Sequence, residues 1–423
     1  MKTYIFLTID ILNFGGTQMY VSSKAEYLEK NGWNVLVLFS SYSYGNCIIP
    51  SLNKFRNGLV QGLNIPSFLW PEFMYYKILH KILGLIGDVS KNDEIIIESH
   101  DDSTAVWGEI IAEKIGAKHV FILMNEIFHG NRKYYEDKID FYFFKLKRRE
   151  IGGLESSFRQ LFKDYKEISK ANIQEFIIDE NPIRSIHNKK VEDIVKLDWN
   201  ICLISRPEKG YVTTIIKEVF FFSKKHNDKK IQFILLGDQE RYSQIIEKEG
   251  CIPSNLNIII LGIVVPIPKS LFSKVDVFIA GAGSARSVTY EGGLVIVPDS
   301  QNFLSNGLLG YDVIDAIYNE DGNQQRSIAE ELERVLINKV YNNMPFNFPY
   351  KNVEACTNQN FEFIYSSERK KEYYGELKLL KSNKSLPLIR LAMYYASLCF
   401  PGCVQTLYNF LVRLTGKHFV VTK

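Results

Sequence analysis

The chain has 423 residues, 51 Lys and Arg against 48 Asp and Glu, a formal net charge of +3, and 46% hydrophobic content with 13% aromatics. So much apolar material excludes a disordered chain, and a net charge this close to zero excludes a nucleic-acid footprint. The length exceeds the roughly 250–300 residues at which a single core stops growing, so two domains are expected. Six cysteines, none in a C-x-x-C pair, form no disulfide framework and read as reduced thiols acting as small hydrophobes.

The first apolar segment, MKTYIFLTIDILNFGG, is interrupted by Asp10 and Asn13 and lacks a small-residue cleavage site. It reads as a buried strand rather than a secretory leader, which makes a cytoplasmic protein the expectation. From there short apolar runs alternate with helical patterns, the mark of parallel α/β sheets. Strands are predicted at Tyr4–Ile9, Asn34–Phe39, Ile95–Glu98, Val120–Met124 and Glu175–Ile178, with helices at Tyr20–Asn31 and Thr104–Ile115 stopped by Gly32 and Gly116. Between Ile186 and Trp199 the chain is charged and patternless; then the alternation restarts. Asn200–Ile204, Ile231–Leu236, Asn257–Leu261, Val275–Ala280 and Leu294–Val297 are predicted strands, with helices at Thr213–Lys225 and Tyr242–Glu249. Ser327 and Glu330 form a capping box that opens a helix running to about Lys339.

Two doubly wound domains place ligands at the carboxyl ends of their strands, in a cleft between the domains. Three loops there carry candidate chemistry. Gly15 and Gly16 join the first strand to the first helix, where paired glycines allow close backbone approach and the helix start favours anions; a plain turn is the alternative. The spacing is not G-x-G-x-x-G, so no dinucleotide fingerprint is present. Ser205-Arg206-Pro207-Glu208-Lys209-Gly210 follows the strand Asn200–Ile204. Arg206 can fork onto a phosphate and Lys209 can act as a point charge, the pair a departing diphosphate needs; a solvated loop is the alternative. Gly281-Ala282-Gly283-Ser284 follows Val275–Ala280 and opens a helix whose N–H groups suit phosphate, with Arg286 and Glu291 further along.

The order of these elements resembles the GT-B-fold glycosyltransferases, in particular the retaining family 4 group. Gly15-Gly16 match that family's N-domain loop. Arg206 and Lys209-Gly210 match its C-domain basic element, with Ser205 in place of a glycine and a shortened spacing. Glu291 matches the second acid of an E-x7-E element, while Gly283 stands where the first acid belongs. The resemblance covers roughly residues 1–340. It implies two Rossmann-like domains facing a cleft, residues 1–190 on the acceptor side and 191–360 binding the nucleotide sugar, followed by a basic helical tail at 361–423.

The implied activity is transfer of a sugar from a nucleotide-sugar donor to a lipid-linked glycan in bacterial surface polysaccharide synthesis, with retention, no metal and no cofactor. Arg206, Lys209, Gly283, Ser284, Arg286 and Glu291 are then the donor-site candidates, Glu291 toward the ribose, with Gly15 and Gly16 bordering the acceptor. Glu126 and His100, each placed after a first-domain strand, are candidate catalytic groups, with Asp101 and Asp102 as alternatives to His100; helix-capping acids and a structural histidine are the competing reading. The missing acid leaves room for a degenerate transferase that only binds a nucleotide sugar or a partner protein, and a 2-epimerase of similar fold is the rival enzyme.

Charge is unevenly distributed. From Arg369 onward there are ten Lys and Arg and two Glu, so the remaining body is mildly acidic. Within this tail Leu391–Val412 is uncharged but is broken by Pro401-Gly402, which favours two short helices over one span. Either the tail holds an anionic membrane peripherally or it packs back on the first domain. The segment Pro71–Gly87, with Met74, Ile78, Ile82 and Leu85 on one helical face, has the same two readings: an interfacial helix or a cover for the first sheet.

Overall fold

The computed structural model describes residues 2–40, 46–90, 93–124, 132–153, 158, 162, 183–317, 319–320, 322–349, 353–366 and 372–375. The chain forms two compact units, Met1–Asp179 with Lys351–Lys423, and Glu180–Tyr350. The expected joint near residue 190 thus falls some ten residues earlier, and the chain beyond Tyr350 belongs with the first unit.

Unit 1 runs β1 (Lys2–Thr8), α1 (Gly16–Lys30), β2 (Asn34–Phe39), α2 (Glu72–Ile86), β3 (Glu94–Ser99), α3 (Asp102–Ile115), β4 (Lys118–Leu123), α4 (Arg132–Lys147) and β5 (Ile151–Gly153). Its sheet is entirely parallel, in the order β2-β1-β3-β4-β5. Strands such as Tyr4-Ile5-Phe6-Leu7 are buried on both faces, as parallel sheets require. The direction of winding reverses between β1 and β3, so the carboxyl ends of these two strands form the switch point.

One face of this sheet is apolar: Ile5, Leu7, Ile95 and Ile97 pack on α2 and α3, with Trp107 stacked on Tyr75 at 5.4 Å. The inward face of α2 is Tyr75, Ile78, Leu79 and Ile82, so Ile78 and Ile82 cover the sheet and do not form a membrane-facing stripe. Helix α3 ends at Gly116, which takes φ 68° in the left-handed region that glycine tolerates. The strand expected at Glu175–Ile178 and the uncharged run Leu391–Val412 lie outside the described residues.

Unit 2 runs β6 (Ile183–Arg184), α5 (Lys189–Glu192), β7 (Trp199–Ile204), α6 (Tyr211–Lys225), β8 (Ile231–Leu236), α7 (Gln239–Glu249), β9 (Leu256–Gly262), β10 (Ile267–Pro268), β11 (Val277–Ala280), α8 (Ala282–Tyr290), β12 (Val295–Pro298), β13 (Ser305–Leu308) and α9 (Ile328–Leu332). The six-stranded sheet has the order β13-β12-β11-β7-β8-β9, parallel except at β13. Both faces are apolar, with Ile201, Leu203 and Phe233 packed on one side and Cys202, Ile234 and Phe278 on the other. The switch point lies between β7 and β11. The expected capping box is formed, Ser327 Oγ accepting from the Glu330 N–H at 3.2 Å while Glu330 accepts from the Ser327 N–H at 2.9 Å. Beyond Tyr350 the chain forms α10 (Val353–Ser366) within unit 1.

Candidate functional site

Strand pairing in unit 2 brings two loops distant in sequence to one place. Ile204, the last residue of β7, is in register with Ala280, the last of β11. The Ser205–Gly210 loop and the Gly281–Ser284 helix start therefore leave adjacent strand ends at the switch point. Gly281 caps α8 without any side-chain hydrogen bond to the helix start. Ala282 adopts φ 53°, a left-handed conformation unusual for a residue with a Cβ, and its N–H donates to Ala316 O at 2.7 Å. That turn aims the following backbone along the helix axis, where the first-turn N–H groups carry the positive end of the dipole.

A second layer of contacts fixes the basic loop. Ser205 Oγ donates to the Tyr211 hydroxyl at 3.2 Å, and the Tyr242 hydroxyl donates to Ser205 O at 2.9 Å. Gly237, at φ 156°, lies so close beneath that a Cβ would sit 2.4 Å from Ser205 O and 2.7 Å from the Tyr242 ring. Burial pushes the Tyr242 hydroxyl well above its ordinary pKa, so it stays protonated as the donor. At the end of β12 the buried Asp299 accepts from the N–H groups of Gln301 (2.8 Å), Asn302 (3.1 Å) and Asn319 (3.1 Å), tying the neighbouring loops to the same edge. Tyr211 closes the basic segment read from the sequence and Gly237 directly follows the predicted strand Ile231–Leu236, but the pattern gives neither a role, and Tyr242 and Asp299 carry no site signal in the sequence.

The other donor candidates are distributed unevenly. Gly283, Ser284 and Arg286 are partly exposed on the first turns of α8. Glu291 is the C-cap of that helix. A helix following a parallel strand runs back toward the strands' amino ends, and nine residues at 1.5 Å each put Glu291 about 13 Å from the helix start. Its carboxylate pairs with Lys269 at 2.8 Å. The expected ribose contact by Glu291 is therefore corrected: the basic loop and glycine-rich start come together, and Glu291 lies at the other end of the helix.

In unit 1, Gly15 caps α1 in extended backbone with no side-chain cap on the helix start. The loop before it is built by Asp10, which accepts from the Leu12 N–H at 2.8 Å, and Gln18 donates back to Asp10 O at 2.9 Å. Gly15 and Gly16 thus stand at the unit 1 switch point. His100 follows β3 at the same place, but its ring turns inward. The side chain is 2% exposed and its Nε2 is 2.8 Å from Glu98 Oε1. The expectation that His100 faces an acceptor is corrected: the alternation along β3 puts residues 98 and 100 on the same inward face. Asp101 caps α3, accepting from the N–H groups of Ser103 and Thr104, and burial raises its pKa to about 7. Asp102 accepts from the Tyr142 hydroxyl at 2.8 Å. Both acids thus have local structural partners. Glu126 lies outside the described residues.

Two buried charge networks complete unit 1. On the α1 face, Lys24 donates to Glu98, to the Tyr4 and Tyr20 hydroxyls (2.8 and 2.9 Å) and to Asn360 of α10 (2.5 Å). Burial alone would raise the Glu98 pKa, but Lys24 and His100 outweigh it and hold the carboxyl down at about 2. On the other face, Ser99 Oγ lies 2.8 Å from His119 Nε2, and His119 Nδ1 lies 3.0 Å from Glu109. Burial, joined by the Lys145 charge, lowers His119 to about 4. The neutral ring therefore donates to Glu109 and accepts from Ser99. The connectivity is that of a nucleophile, a base and an orienting acid. All three side chains are buried and Glu109 is bound to Lys145, so no substrate reaches them and the network serves to join β3, β4, α3 and α4.

No protein-family model and no curated protein sequence matches the chain. Solved structures do. Anabaena HepE in complex with UDP and glucose aligns over 93% of this chain and 99% of its own, at 11% identity and a TM-score of 0.51. The same protein with UDP-glucose aligns over 89% and 97%, at 11% identity and 0.50. A glycosyltransferase from Rickettsia africae covers 98% and 99% at 14% identity, with a TM-score of 0.48. The fold is GT-B. Its two Rossmann-like domains correspond to units 1 and 2, and the basic loop and glycine-rich helix start occupy the switch point of the second GT-B domain.

Proposed function

We propose that the chain is a glycosyltransferase that takes its sugar from a nucleotide-sugar donor, with the donor diphosphate held at the carboxyl ends of β7 and β11. The observation that carries this reading is the register of Ile204 with Ala280, which makes the loop carrying Arg206 and Lys209 and the helix start carrying Gly283 and Ser284 leave adjacent strand ends, with Arg286 further along the same helix. HepE, which shares the fold, has been seen with UDP and with UDP-glucose, and a donor of that chemical class is proposed here. As the bond from sugar C1 to the diphosphate oxygen breaks, its electron pair leaves with the diphosphate, and the two cations and the helix start stabilise that charge. In the proposed retaining course, the departing phosphate oxygen takes the proton of the acceptor hydroxyl, whose oxygen bonds to C1 on the face just vacated. No metal is needed for this charge balance.

The proposed acceptor is a lipid-linked glycan of bacterial surface polysaccharide, reached at the cytoplasmic face of a membrane. The eight excess positive charges from Arg369 onward support peripheral contact with anionic lipid. Among the described residues no helix is long and apolar enough to cross a membrane. Gly15, Gly16 and, by sequence position, Glu126 are the proposed acceptor-side groups.

Replacing Arg206 and Lys209 together by alanine tests the reading. Nucleotide-sugar affinity is expected to fall at least about tenfold, since two charge-assisted contacts are lost, and turnover with it. Unchanged binding and turnover would refute the assignment. A second reading, a nucleotide-sugar binder without transferase activity, is motivated by Gly283 in place of an acid; donor binding without transfer or hydrolysis across a broad acceptor panel would favour it.

A further inference from the structure

The ends of three adjacent strands, β8, β7 and β11, lie side by side, because Ile204 is in register with both Leu236 and Ala280. The first and second of these ends each present an arginine. Arg206 follows β7, and Arg241 stands in the first turn of α7 behind β8, its N–H donating to the capping carboxylate of Asp238 at 3.0 Å. Between them is Glu208. Its two oxygens face different guanidiniums, Oε1 at 3.9 Å from Arg206 and Oε2 at 3.4 Å from Arg241. All three side chains are between a third and a half exposed.

We propose that Glu208 is an internal occupant of an anion site made by Arg206 and Arg241, that a diphosphate displaces it on binding, and that Arg241 is a further donor-contact residue. This rests on the donor reading above. Three observations support it. Both separations exceed the roughly 2.7–2.9 Å of an engaged guanidinium–carboxylate pair, so neither fork is matched bidentately. Exposed pairs of this kind contribute little to stability, so Glu208 leaves readily. The two segments that carry the arginines are nevertheless tied together: Tyr242, the residue after Arg241, donates its hydroxyl at 2.9 Å to the carbonyl of Ser205, the residue before Arg206. A single carboxylate spans two guanidiniums poorly, whereas a diphosphate carries more charge and two phosphoryl groups, one for each fork.

The test is calorimetric titration of inorganic pyrophosphate, UDP, ADP and GDP into the full chain and its Glu208→Gln, Arg241→Gln and doubly substituted forms, with Glu208→Ser as a second removal of the carboxylate. Thermal unfolding serves as the folding control. Removing the Glu208 charge is expected to tighten pyrophosphate and the preferred nucleotide about threefold to tenfold, the size of one exposed charge interaction. Arg241→Gln is expected to weaken both by a similar factor, and Glu208→Gln to gain less in that background. A Glu208→Gln or Glu208→Ser protein that binds no tighter than the parent overturns the proposal. Nucleotide binding that ignores Glu208 and Arg241 overturns it while leaving the donor reading standing. Pyrophosphate binding that responds as expected, with no nucleotide bound, upholds the anion site and overturns the donor reading. No binding of any ligand overturns both.

Discussion

Acids and bases are held differently on the sheet faces of unit 1 and at the strand ends of unit 2. Unit 2 is apolar on both faces of its sheet and buries Glu331 of α9 against Arg334, but at the carboxyl ends of β7 and β8 Arg206, Glu208 and Arg241 stay partly exposed and loosely matched. Unit 1 puts Lys24 and Glu98 against one face of its sheet and Glu109, His119 and Lys145 against the other, all in short, well-matched contacts. A charge that is buried and fully partnered cannot be offered to a ligand without losing what compensates its desolvation. One that is exposed and loosely paired can. Burial and matching, more than residue type, separate structural from ligand-facing charge in this molecule.

The largest expected effect breaks the buried side of that comparison. Lys24→Ala leaves the buried Glu98 without its cation, with only His100 and the Tyr4 hydroxyl beside it, and unfolding free energy is expected to fall by about 3–5 kcal/mol in denaturant titration. Lys24→Met combined with Glu98→Leu is expected to cost much less, because no charge is stranded. Equal losses in the two would show that packing, not charge pairing, holds this region.

The next effect concerns the support of the ligand-facing side. At Gly237→Ala the new methyl meets Ser205 O and the Tyr242 ring, and a destabilisation of about 1–3 kcal/mol is expected, accompanied by weaker nucleotide binding as the Arg206 loop shifts. Retained affinity in a destabilised variant would separate the loop's position from ligand binding.

Acid titration compares the two kinds of charge within unit 1. Glu98 titrates at about 2 in the folded chain against 4.5 ordinarily, and His119 at about 4 against 6.5. In both cases the unfolded chain takes up protons first as pH falls, so these groups lower stability progressively from about pH 6.5 to about pH 2. Asp101, raised to about 7, acts in the opposite direction: the folded chain holds its proton where the unfolded chain has lost it, so its contribution is lost as pH rises from about 4 to about 7. Asp101→Asn retains a capping oxygen without titrating. Relative to this variant, the parent should lose stability across that window, and parallel pH profiles would show that the burial of Asp101 does not control its ionisation.

The smallest effect is at Ala282, where φ 53° favours glycine. Ala282→Gly is expected to raise stability by about 1 kcal/mol or less by relieving that backbone, read as a small rise in Tm.

Much of the fold could be read from the chain, because double burial writes parallel strands as continuous apolar runs. Asn34–Phe39 and Ile231–Leu236 were expected and are found as strands β2 and β8, and Gly116 and the Ser327 box mark helix ends where local chemistry requires them. The site was legible only in part. Gly15-Gly16, Arg206 and Gly283 stand out because a loop directly after a strand in this architecture must face the ligand edge. Gly292-Gly293 mark the helix stop just after Glu291, but spacing could not show that this end lies away from the basic loop, since the pattern counts residues and not the direction in which a helix returns. Nor could it show that His100 turns inward, because the partner that draws it there, Glu98, is itself paired with Lys24, 74 residues away.

The sequence alone therefore determined two α/β units, their strand ends and the presence of a basic loop and a glycine-rich helix start, all of which depend on local pattern. Only the tertiary structure decided which strands lie side by side, hence that Ile204, Leu236 and Ala280 meet and that Arg206 and Arg241 share Glu208. It also decided which charges are buried. Both depend on long-range pairing and desolvation, whose partners are set by the folded sheet and not by neighbours along the chain.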